Sequence, residues 1–159
     1  LASQGYYLFG IEFDLLLAAY ILNPSNTKED FRVIVSNFDY DDVSKLFGKK
    51  IAQIVSDLTK ETRLPKNQQE KNYLKQLSKS LWQSKVVKFA DILANVSDLK
   101  NSELNQKQKI IQVKYKIKYL GVIKSGIVEN KNKIPNLFEA QNSLNSVFEQ
   151  YGQRKITLF

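Results

Sequence analysis

Apolar residues recur at intervals of three and four along most of the chain, the spacing that gathers them on one face of a helix. Phe13, Leu16, Leu17, Tyr20 and Ile21 predict a helix over about 12–22. Glu12 and Asp14 suit its positive end, and Asn23-Pro24 ends it. Residues 31–40 are the best strand candidate, with Val33, Ile34 and Val35 adjacent; a helix continuing from Thr27 fits the same residues. Asp39 or Asp41 then caps a helix in which Val43, Leu46, Phe47, Ile51, Ile54, Val55 and Leu58 recur, and Gly48 breaks it in two. Pro65 marks a polar loop. Further helices follow over about 67–81 (Tyr73, Leu74, Leu77 and Leu81 inward), 106–124 (Ile110, Val113, Ile117, Leu120) and 137–152 (Leu137, Ala140, Leu144, Val147, Phe148, Tyr151). Residues 125–136 read as a loop, and Gly152 as a C-terminal stop.

Residues 86–99 differ from the rest because they are apolar on almost every side: Val86, Val87, Phe89, Ala90, Ile92, Leu93, Ala94 and Val96. Such a helix is expected to be buried. It carries Asp91 and Asn95, which share a face at a spacing of four. A buried carboxylate must be paired, hydrogen-bonded or metal-bound. Two readings are open: an Asp bonded to a helix end or a lysine, or one wall of a polar site inside a helical core. The whole reads as one all-α domain over 1–159, a bundle of six to seven helices with no repeat and no phosphate-binding glycine loop.

Composition narrows the chemistry. Histidine and cysteine are both absent. This excludes Ser-His-Asp and Cys-His catalysis, disulfides and thiolate metal sites. A metal here could use only oxygen donors and amides, which favours Mg²⁺ over Zn²⁺. No apolar run is long enough for a membrane span. No basic region followed by an apolar core and cleavage site opens the chain, so no signal peptide is expected and the cytoplasm is the expected compartment. The net charge of +8 and pI near 9.5 suggest attraction to polyanions. Lys107, Lys109, Lys114, Lys116 and Lys118 make 106–124 the most basic segment, with Tyr115 and Tyr119 interleaved. Lysines with aromatic rings can hold a phosphate backbone and stack on bases, while the plainer reading is an amphipathic helix with its lysines in water. Trp82, the single tryptophan, reads as a packing anchor or a stacking platform.

The stretch V-V-K-F-A-D-I-L-A-N-V-S-D-L (86–99) resembles the V-K-L-A-D-x-L-x-N-x-R-D-L segment of HD-domain (p)ppGpp hydrolases, the SpoT/RelA hydrolase domains and small stand-alone alarmone hydrolases. F-G-K-K-I-A-Q-I-V-S-D-L-T (47–59), L-P-K (64–66) and L-N-S-V-F-E-Q-Y-G-Q-R-K-I-T (144–157) are similar to further family segments in the same order. The resemblance implies an HD-domain helical bundle. It implies that Asp91 stands at a metal-ligand position and Asn95 against a bound nucleotide. Leu22 and Asn23 replace the His-Asp pair, and Glu29 and Asp30 are weak candidates for the family's catalytic acids. The expectation is a degenerate hydrolase without metal-dependent activity, retaining a ppGpp-like guanine nucleotide or a protein partner. No cofactor is expected, and Mn²⁺ or Mg²⁺ only if a residual site survives. Two alternatives stand beside it: an active phosphohydrolase with a carboxylate-only or shared metal site, and a basic helical nucleic-acid-binding module. Residues 13–24 (F-D-L-L-L-A-A-Y-I-L-N-P) are also similar to a segment of the exonuclease-like domain of family A DNA polymerases, but nothing downstream supports a polymerase.

Overall fold

The computed structural model describes residues 39–61 and 63–158. The helix expected over 12–22, the strand candidate at 31–40 as far as residue 38, and the residues Leu22, Asn23, Glu29 and Asp30 lie outside them. The chain divides into two compact units, residues 1–53 and 54–159. Among the described residues there are six α-helices and no strand, so the all-α expectation holds. None of these helices is long and apolar enough to cross a membrane.

In the first unit, helix α1 (Tyr40–Phe47) opens on a capping box. Asp39 accepts from the Asp42 amide at 2.9 Å, and Asp42 accepts from the Asp39 amide at 3.4 Å. This satisfies amides that the helix itself leaves without partners. Gly48 follows at φ +85°, a conformation that favours glycine, and helix α2 (Lys49–Leu58) begins beyond it. The break expected at Gly48 is therefore present.

The second unit takes up the end of α2 and then α3 (Lys66–Lys79), α4 (Trp82–Asp98), α5 (Gln106–Glu129) and α6 (Leu137–Gln150). Short 3-10 turns lie at Leu99–Asn101 and Lys131–Lys133. Helix α4 is the hub: it packs along both α5 and α6, while α5 also covers α3. Leu77, Ile92, Val113, Ile123, Ile127, Leu144 and Phe148 are wholly buried, each stabilising the fold by about 1.5–3 kcal/mol relative to exposure. Leu81, expected inward, is exposed because it is the N-cap of α4 rather than part of α3.

Helix α5 runs five residues past its expected end at 124. Ser125-Gly126 opens the stretch expected to be a loop, yet Gly126 is helical and buried. The stem of Lys85 crosses it so closely that an added Cβ would lie 2.5 Å from Lys85 Cδ. The glycine serves a close approach there, not a turn. Gly152 is the expected stop after α6. At φ +66° it donates to Glu149 O, and Gln153 donates to Phe148 O, the two bonds of a Schellman motif. The chain then runs extended beside α6. Asn145 donates to Ile156 O at 2.9 Å and accepts from Ile156 N at 2.8 Å, while Gln141 accepts from Leu158 N at 2.6 Å. Leu158 is buried at the end of this clamp.

Candidate nucleic-acid interface

Helix α4 is not apolar all round. Lys88, Asp91, Asn95 and Asp98 recur at three and four, and this stripe meets solvent at Asp91, Asn95 and Asp98. The Asp91 side chain is 44% exposed, which corrects its expected burial. Its Oδ2 accepts from Lys88 Nζ at 2.9 Å and its Oδ1 from Asn95 Nδ2 at 2.7 Å. Asn95 also donates to Asp91 O, four residues back, at 2.6 Å. Both residues that sequence reasoning singled out are thus brought together, but they bond to each other and to a lysine of their own helix. That is the plainer of the two readings. Among the described residues no three carboxylates gather where they could hold a metal ion.

Among the described residues, the carboxylate that is buried is Asp57, near the end of α2. It accepts from Leu81 N at 3.0 Å and Ser84 Oγ at 2.7 Å, so an anion sits at the positive end of α4. Across the same corner the buried Lys85 donates to Ser78 O at 3.1 Å, placing a cation at the negative end of α3. The sequence carries a signal for Asp57: it shares the buried side of α2 with Ile54.

Inside the angle of α3, α4 and α5 lies a second polar cluster that sequence reasoning missed, apart from its tyrosine and lysine on α5. Tyr73 and Tyr119 meet edge to face with centroids 5.8 Å apart. Lys88 Nζ is 5.4 Å from the Tyr73 centroid and 5.1 Å from that of Tyr119, within cation–π range of both. Lys116 approaches Tyr119 at 6.0 Å, and Lys60 approaches Tyr73 at 5.8 Å. Glu70 Oε2 closes the cluster, accepting from Lys60 Nζ at 2.8 Å and Tyr119 OH at 3.1 Å.

The charges in the cluster respond to this packing. Burial opposes ionised Glu70, but the bonds from Lys60 and Tyr119 outweigh it and hold its carboxyl below the usual range. Burial likewise opposes charge on Lys88, and Asp91 outweighs it, raising the ammonium. For Lys116 burial outweighs the attraction of Asp91 and Glu70 and lowers it. Burial, with the bond to Glu70, pushes the Tyr119 phenol well up.

The outer side of α5 is different. The helix carries Lys107, Lys109, Lys114, Lys116, Lys118 and Lys124 against one acid, Glu129. Among the described residues no carboxylate lies within ion-pair distance of any of these lysines. Lys107, Lys114, Lys118 and Lys124 are exposed. Between them Ile111 is 43% and Tyr115 42% exposed. Lys118 Nζ stands 5.1 Å from the Tyr115 centroid. Trp82 is half-buried beneath Lys133, 5.5 Å from its ring.

Residues 1–51 match the family model for the ribonuclease H-like domain of DNA polymerase I. The match covers about a third of the chain. No curated protein matches the chain, and neither does any solved structure. This overturns the resemblance to HD-domain alarmone hydrolases, since the family found is a different one. It falls on the end of the chain where the weaker polymerase-like similarity at 13–24 lies. The roles lent to Asp91 and Asn95 by the hydrolase resemblance lose that basis. The motif residues behind it are mostly apolar positions of amphipathic helices, which many helical bundles share.

Proposed function

We propose that this chain is a nucleic-acid-binding module that holds the phosphate backbone on the outer face of α5. The observation that carries the reading is the set of four exposed lysines on one helix, Lys107, Lys114, Lys118 and Lys124, with no ion-pair partner among the described residues. Lysines on ordinary solvated faces commonly alternate with acids. Here the like charges repel, and a polyanion relieves them while the lysines displace the cations condensed along it. The match of residues 1–51 to a domain of a DNA polymerase supports nucleic acid over other polyanions.

The test is fluorescence anisotropy of a labelled oligonucleotide titrated with the chain over a range of salt. The logarithm of the binding constant should fall linearly with the logarithm of salt, by roughly 0.7 per neutralised phosphate of a single strand. Lys107→Gln and Lys114→Gln should each reduce that slope by roughly 0.7, one phosphate contact apiece. Absence of binding at low salt, or lysine variants that bind as the wild type does, would overturn the reading.

A further inference from the structure

We infer that the outer face of α5 takes single-stranded nucleic acid, with an unstacked base lying on Tyr115. The inference rests on the nucleic-acid reading above and adds what the aromatic ring contributes. Lys107, Ile111, Lys114, Tyr115 and Lys118 follow one another along the exposed side of α5, so cation and apolar surface interleave over about three helical turns. A single strand offers the matching alternation of phosphate and base. A duplex offers its phosphates outward but keeps its base faces covered by their neighbours, so the lysines would be engaged and the ring would not.

The two tyrosines of α5 separate clearly in this respect. Tyr119 is committed inward: its hydroxyl donates to Glu70, its ring meets Tyr73 edge to face, and Lys88 and Lys116 lie against it. Tyr115, four residues earlier, is 42% exposed and has Lys118 Nζ over one face of its ring, 5.1 Å from the centroid. A base stacked on Tyr115 would take the ring face that the Lys118 ammonium does not cover, with that cation close to the strand's phosphates, and Ile111 adds to the apolar surface the base would cover. A base has a π-face whatever its identity, so the site is expected to tolerate any sequence.

The experiment compares the wild type, Tyr115→Ala, Tyr115→Phe and Lys107→Gln/Lys114→Gln for binding to labelled oligo-dT, to a duplex of equal length and to heparin, a polyanion without bases. Tyr115→Ala should weaken oligo-dT binding by about fivefold or more and change heparin and duplex binding by less than about twofold. Tyr115→Phe, which keeps the ring, should bind oligo-dT as the wild type does. The inference is overturned if Tyr115→Ala leaves oligo-dT binding intact, or if it weakens heparin binding equally. If Lys107→Gln/Lys114→Gln weakens all three while Tyr115→Ala weakens none, the stacking inference falls and the nucleic-acid reading stands. If the lysine pair changes nothing, both fall.

Discussion

Asp57 and Asp91 are two carboxylates in apolar helical surroundings, and the structure treats them in opposite ways. Asp57 is buried and receives a backbone amide and a hydroxyl from the start of α4. Asp91 stands in solvent and pairs with a lysine one turn before it. Apolar residues surround both in sequence, so local hydrophobicity does not separate them. Register does. Asp57 falls on the buried side of its helix with Ile54, whereas Asp91 falls on the stripe of Lys88, Asn95 and Asp98.

The sharpest way to break this comparison is to remove each carboxylate. Asp57→Ala leaves the Leu81 amide and the Ser84 hydroxyl without their acceptor, and should cost about 2–4 kcal/mol in urea unfolding. Asp57→Asn keeps an acceptor oxygen and should cost less. An Asp57→Ala loss as small as that for Asp91→Ala would break the contrast.

The cationic half of the same corner is probed next. Gly126→Ala drives a methyl against the Lys85 stem, and overpacking of that kind costs about 1–3 kcal/mol. Alanine recovers about 1 kcal/mol of helix propensity, so the net loss should reach at most about 2 kcal/mol. Coupling between Gly126→Ala and Lys85→Ala in a double-mutant cycle would show that the clash is the cause.

The pH dependence of unfolding sharpens the picture inside the α3–α4–α5 angle. Glu70 is lowered in the folded state, so its contribution is present above the ordinary carboxylate range and fades as pH falls through the depressed value. Glu70→Gln should flatten that acid limb. Tyr119 and Lys88 are raised, so their contributions are present below about pH 10 and fade above it. Tyr119→Phe should flatten most of the alkaline limb. Lys116, lowered by burial, acts in the opposite sense there. An alkaline limb unchanged in Tyr119→Phe would refute its role.

The smallest effect should come from Asp91→Ala. The ion pair it breaks is nearly half exposed at the carboxylate, and the loss should stay below about 1 kcal/mol. A larger loss would bring Asp91 nearer to Asp57 than the geometry places it.

Much of the helical pattern was legible because the helices obey one period. Starts near 67, 106 and 137, and the stops at Gly48 and Gly152, follow from apolar spacing and turn chemistry acting within a few residues. What was not legible depends on neighbours distant in sequence. Gly126 falls in a stretch that reads as a loop until Lys85 is seen to cross it. Tyr115 and Tyr119 look equivalent until Glu70, dozens of residues away, binds one and not the other. The hydrolase resemblance failed for a related reason. Its matching positions carry packing, which a linear pattern shows readily, and packing does not identify chemistry.

The tail clamp on α6 has a mechanical consequence. Gln141 and Asn145 hold main-chain atoms of the tail and none of its side chains. Tension applied at the C-terminal end would therefore load Leu158 first, then Ile156, and only afterwards the turn at Gly152. Bonds strained one after another yield at lower force than bonds strained together. The tail would peel before α6 felt the pull, acting as a weak link that spares the helical core.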